Sequence, residues 1–169
     1  MKTYLIADLH FGDEDIIKYE NRPFNNAIEM NNQLVDNWNN IVSKEDRVFI
    51  VGDYSKMDFE KTKQITRQLN GKKYLVIGNH DEFSLSEYLD MGFLNAYDYP
   101  ILIDGFFLLS HEPLYVNENM PYVNIYGHIH GNPNYNTFSS CGHCVSVEKI
   151  EYKPIDLEEI KKKILTLRK

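Results

Sequence analysis

Three short apolar runs limit what this chain can fold into: 2–8 (KTYLIAD), 47–53 (RVFIVGD) and 72–78 (KKYLVIG). Each is apolar almost throughout instead of alternating, the pattern of a strand buried on both faces. Helical periods separate them. In 26–42, apolar residues recur at 27, 30, 34, 38 and 41, and 58–70 is a second amphipathic stretch, opened by Asp58 and ended by Gly71. Strands alternating with helices imply right-handed crossovers and a mainly parallel sheet. The second half predicts shorter elements. SLSEYLDMG reads as a short helix with Ser84 and Glu87 at capping-box spacing. Strand-like runs follow at 97–103, 106–110, 123–127 and 144–150, the first two joined through Asp104-Gly105. The tail DLEEIKKKILTL predicts a helix started by Asp156 and Glu159. The Gly-, Asn-, Pro- and Ser-rich loop at 131–143 is the segment expected to move most.

A chain of 169 residues, with no linker, repeat or composition break, is expected to form one domain over 1–169. A net charge of −7 argues against long nucleic acid as a partner, since that needs a basic surface. It leaves room for a small phosphoester held by cations, which dominate their local field. No apolar run reaches the roughly 20 residues of a membrane span, and Asp8 interrupts any signal-peptide pattern. The expected compartment is the cytoplasm, with no membrane partner; oligomeric state is not legible. Cys141 and Cys144 in CGHC fit a redox motif, half a zinc site or incidental thiols.

The chemistry gathers where the apolar runs end. The first ends in Asp8 and His10, the second in Asp53, and the third in Asn79, His80 and Asp81. Later runs deliver His111, then His128 and His130. Five of the six histidines follow such runs; only His143 does not. Any one of these residues alone is an ordinary strand-end turn or a satisfied surface group. Five independent placements are hard to ascribe to turns, because parallel sheets collect ligands beyond their carboxyl ends. A mixed carboxylate, imidazole and amide set suits Mn, Fe, Zn, Co or Ni better than Ca. It is also larger than one ion needs, which suggests two ions sharing a carboxylate.

The ordered motifs Asp8-x-His10, Gly52-Asp53, Gly78-Asn79-His80-Asp81, Ser110-His111 and Gly127-His128-x-His130 resemble the calcineurin-like metallophosphoesterases. HFGDEDIIKYENRPF and VSVEKIEYKPIDLEEI look like a small bacterial and phage phosphoesterase subgroup of that family. The resemblance implies an α/β sandwich of two mixed β-sheets flanked by helices. It implies that Asp8, His10 and His130 hold one divalent ion, that Asn79, His111 and His128 hold another, and that Asp53 bridges them. Mn is the first choice of metal, with Fe, Zn, Ni, Co or Mg as alternatives. It further implies a bridging hydroxide as nucleophile, His80 as general acid and Asp81 as the residue that orients it. The implied activity is hydrolysis of a small or nucleotide-type phosphodiester. The alternatives are a phosphomonoesterase, a catalytically silent scaffold of the same fold, or a protein whose ions only stabilise it.

Some residues keep two readings. Arg22 could clamp phosphate through its guanidinium or anchor a loop. In the subgroup a histidine often follows Phe11-Gly12; here Asp13 stands, and it is expected to repel an anion. Tyr54 could border the pocket or pack. Tyr115, Tyr122 and Tyr135 could stack on a base, with plain packing the simpler role.

Overall fold

Each of the three leading strands sends alternate side chains into two different cores, which explains their continuous apolar sequence. The fold comes from a computed structural model that describes residues 1–133 and 141–167, with side chains up to 164. Strand β1 (Thr3–Ile6) runs parallel to β2 (Arg47–Val51), and β2 parallel to β3 (Lys72–Val76). Tyr4, Ile6, Val48, Ile50 and Leu75 enter one core; Leu5, Ala7, Phe49, Val51 and Val76 enter the other. A strand's period of two makes that division.

The first core lies under the helices. Helix α1 (Glu14–Tyr19) contributes Ile16 and Ile17, and α2 (Ala27–Asn39) contributes Met30, Leu34 and Trp38. Trp38 is fully buried and its indole N–H donates to Asn70 O at 2.9 Å, so it brings no unpaired polar group inside. Helix α3 (Phe59–Gln68) is N-capped by Asp58, and α4 (Leu85–Met91) carries the Ser84–Glu87 capping box and a left-handed Gly92. The second core lies between this sheet and a second one, closed by α5 (Leu157–Leu167) through Leu157, Ile160 and Ile164.

The first sheet has the order β4-β3-β2-β1-β9, with β4 (Asn95–Tyr97) parallel and β9 (Ile155–Asp156) antiparallel to its neighbour. The second has the order β5-β6-β7-β8: β5 (Ile101–Ile103), β6 (Phe107–Ser110), β7 (Val123–Tyr126) and β8 (Gly142–Cys144). Only β5 runs antiparallel there. The architecture is thus the expected sandwich of two mixed sheets flanked by helices. Among the described residues, no helix is long and apolar enough to cross a membrane.

Three local expectations change. The 97–103 run divides between the two sheets, because Pro100 has no N–H for a ladder and the chain bends there. The 144–150 run leaves strand geometry after β8 and turns through a 3-10 helix at Val147–Lys149. There Val147 N–H donates to Ala7 O and Lys149 N–H to Ser146 O. Helix α1 was not anticipated, although Asp13 caps it by accepting from Asp15 N and Ile16 N. The 131–143 loop lies largely outside the described residues, at 134–140, as does Tyr135.

His143, in β8, is held neutral: burial, then the nearby Lys163 charge, lower its pKa from 6.5 to about 4. Its contribution to stability is therefore present above pH 6.5 and lost as the pH falls through about 4. In metal-free protein, His143→Gln should narrow the drop in Tm between pH 7 and pH 4.5 relative to wild type. Equal drops in thermal melts of the two proteins would contradict this account.

Candidate metal centre

The strand ends converge because their backbones approach more closely than side chains would allow. Gly52, at φ +86°, leaves no room for a Cβ beside the His111 ring, and a Cβ on Gly78 would collide with the Asp53 carboxylate and amide. Hydrogen bonds Asp8 N–H to Gly52 O and His10 N–H to Asp53 O, both 3.0 Å, then run the β1 and β2 exits side by side.

Five of the metal-ligand candidates sit in the left-handed region: Asp8 at φ 58°, His10 at 50°, Asp53 at 53°, His128 at 68° and His130 at 47°. Non-glycine residues take this conformation rarely, and it clusters where a site holds side chains in unusual directions. Local hydrogen bonds hold it here. His128 N–H donates to both Asp8 carboxylate oxygens at 3.0 Å, and His80 N–H to Asp53 Oδ1 at 2.9 Å.

Asp8, His10, Asp53 and His130 each place a ligand atom within 4.8 Å of the others. The first three are almost fully buried. A second set adjoins them. His111 Nε2 lies 2.9 Å from Asn79 Oδ1, and His128 Nδ1 lies 3.0 Å from the same oxygen and 3.2 Å from His111 Nε2. Asp53 Oδ2 stands between the sets, 3.4 Å from both His10 Nε2 and His111 Nε2.

Two atoms test whether cations fit. His10 Nε2 and Asp53 Oδ2 are buried, face each other and have no hydrogen-bond partner. Orphaned buried polar atoms are costly. A divalent ion beside them would take the lone pair of one and the charge of the other. The residues present fit such a group.

The outer contacts orient the rings. His10 Nδ1 meets Asp13 Oδ2 at 3.2 Å and His111 Nδ1 meets Val51 O at 3.0 Å, which leaves Nε2 of each to the cluster. Burial would lower the His10 pKa, but Asp13 and then Asp53 raise it to about 9. His111 likewise rises to about 9, burial being outweighed by Asp53 and Asp8. Burial pushes Asp53 up, yet the His10 and His111 imidazoles 3.4 Å away bring it well below the usual carboxylate range. Burial dominates for Asp8, whose pKa is raised.

Not every expectation survives the geometry. Asp13 is a helix cap and a partner of His10, its carboxyl lowered to about 2 chiefly by that imidazole, so it is already engaged and not an open barrier to an anion. Arg22 is no surface clamp: its side chain is wholly buried and donates to Asp8 O, Leu9 O and the Glu148 carboxylate. Asp81 accepts from Gly78 N, Asp53 N and Tyr54 N at 2.8–2.9 Å, so it ties the β2 and β3 exits together. His80 itself is exposed, its ring 5.4 Å from that of His10. Tyr54 is packed, its hydroxyl 2.8 Å from Thr66 Oγ1, and Tyr115 is exposed. Cys141 and Cys144 form no disulfide, and among the described residues neither joins a candidate metal cluster.

Glu148 was missed. It lies 18 residues past His130 yet meets its Nδ1 at 3.2 Å. Its only sequence signal was an acidic residue in the tail motif that follows β8.

The family model of the calcineurin-like phosphoesterases matches residues 1–167. An uncharacterized protein of Methanocaldococcus jannaschii is 36% identical over 173 residues, covering 96% of this chain and 91% of its own. A protein of unknown function from Aquifex aeolicus, known from its crystal structure, superposes with a TM-score of 0.74 at 28% identity, over 95% of this chain and 98% of its own. Its ordered strand-end motifs, its sandwich and a family match over nearly its whole length agree, and the chain belongs to the calcineurin-like phosphoesterases.

Proposed function

We propose that this protein is a metal-dependent phosphodiesterase acting on a small or nucleotide-type phosphodiester. The observation that carries the reading is Asp53 Oδ2, unpartnered and equidistant from His10 and His111 between two donor sets. Asp8, His10 and His130 would hold one ion, Asn79, His111 and His128 the other, and Asp53 both. Mn heads the metals that suit this mixed donor set, ahead of Fe, Zn, Ni, Co and Mg. When bound, the ions would supply Lewis-acid charge for the phosphoryl oxygens and for the attacking water.

The chain's own groups do the rest. His80 is exposed over the buried cluster and anchored through its N–H to Asp53. In this reading it gives a proton to the leaving-group oxygen. Asp81 keeps the loop that carries His80 in register by binding three amides.

Support for a diester comes from a cleft of about 280 Å³ beside Asn79 and His111, lined by Tyr99, Pro100 and Leu114 with Asp98 and Glu112. It offers room for a second ester group. Its two carboxylates disfavour a further phosphate there, as the chain's net charge of −7 disfavours long nucleic acid.

The test compares bis-p-nitrophenyl phosphate with p-nitrophenyl phosphate after chelation and re-addition of Mn, Ni, Zn or Mg. Turnover should require metal, favour the diester and vanish in Asp53→Asn. Preference for the monoester would make the protein a phosphatase. No turnover by protein that has taken up two ions would favour the scaffold. His80→Ala should lower kcat by about 10²–10⁴-fold for an alkyl leaving group. The loss should be much smaller for nitrophenolate, which departs without a proton. Equal losses for both would remove His80 from the acid role.

Metal uptake should also displace protons. At pH 7 the metal-free His10 and His111, both raised to about 9, are protonated, whereas a ligand imidazole must be neutral. Affinity should therefore rise from pH 7 to about 9. In the metal-free protein the stabilisation from these raised values is full below 6.5 and lost as the pH passes about 9. Calorimetry in buffers of different ionisation enthalpy counts the protons, and uptake without release would refute the assignment.

A further inference from the structure

Behind the first donor set lies a buried ion pair that the proposed chemistry does not use. Arg22 follows α1, and Glu148 sits on the 3-10 turn after β8. Their side chains are 0% and 7% exposed. Glu148 Oε1 accepts from Arg22 Nε at 2.9 Å and makes an ion pair with Nη2 at 2.7 Å. The same oxygen meets His130 Nδ1 at 3.2 Å. Arg22 also donates from Nη2 to Asp8 O at 2.7 Å and from Nη1 to Leu9 O at 3.0 Å.

These contacts join three separate pieces of the site. One carboxylate touches the His130 ring; the guanidinium that holds it also grips the backbone carbonyl of Asp8. Both residues belong to the first donor set. An imidazole that gives Nδ1–H to a carboxylate presents Nε2 as its lone pair, in a fixed orientation and with greater basicity. In the second set, His111 Nδ1 faces a neutral carbonyl, Val51 O, in place of a carboxylate.

Glu148 also lies close enough to Glu20 and His130 to suggest a separate cation site. The guanidinium 2.7 Å from Oε1 already supplies a positive charge there and would repel a second cation, although Oε2 is buried without a hydrogen-bond partner.

We propose that Glu148 and Arg22 are positioning residues for the first ion: Glu148 fixes the tautomer and direction of His130, and Arg22 locks Glu148 to the backbone of Asp8. The inference rests on the metal-centre reading above.

The test is Mn titration by calorimetry of chelator-stripped protein in an Asn79→Ala background, which removes a ligand of the second set so that one ion is read. Glu148→Ala should weaken Mn binding by about 10–100-fold. Glu148→Gln, whose amide oxygen can still accept Nδ1–H, should recover most of that affinity. The visible spectrum of the Co-loaded protein should change in Glu148→Ala and return towards that of the parent in Glu148→Gln. A merely structural ion pair would instead lower the metal-free Tm in both variants and leave ion affinity alone. If Glu148→Ala does not fold, Glu148→Asp takes its place, because the shorter chain cannot keep both the Arg22 and His130 contacts. Unchanged Mn affinity in the folded variant, or equal losses in the Ala and Gln variants, overturns the proposal while leaving the metal centre intact. A parent protein that takes up no Mn overturns both.

Discussion

A single carboxylate, that of Asp53, sets the terms for the strand exits around it. It is buried, its Oδ2 reaches towards imidazoles from two different strand ends, and its Oδ1 takes the amide of His80. A buried anion without compensation is costly. The surrounding geometry supplies that compensation, from two raised histidines and an amide in the protein itself, and from cations where they bind. Gly78 must lack a side chain because Asp53 occupies the space beside it.

The same crowding explains the backbone. Asp8, His10, Asp53, His128 and His130 turn left-handed just where the strands stop, so that their side chains point inward across the strand ends. Such conformations cost of order 1–3 kcal/mol each and persist only where the surroundings over-determine them. Here the surroundings are specific: Asp81 on three amides, Asp8 on the His128 amide, Arg22 on the Asp8 and Leu9 carbonyls. The charged residues just outside the cluster work as fasteners for a strained one.

Much of the frame was legible, for a local reason. Runs buried on both faces must be apolar at every position, so β1, β2 and β3 announce themselves. Asp58, Ser84 and Glu87 act within a few residues of where they stand and were readable as caps. Two runs read differently: Pro100 divides 97–103 between two sheets, and 144–150, whose course depends on distant chain, turns away to bring Glu148 beside His130.

The sequence by itself determined which residues stand at the strand ends, and so a donor set of carboxylates, imidazoles and an amide suited to divalent ions. Periodicity and spacing are local properties, and they survive without coordinates. Only the tertiary structure decided what each neighbouring charge does. Arg22 was readable as a phosphate ligand or an anchor, and it is an anchor, because the guanidinium is sealed under two carbonyls and Glu148. Asp13 was readable as a barrier to anions and is a cap that holds His10. Residue type states what a group can bind; burial and the 126-residue separation between Arg22 and Glu148 decide what it does bind.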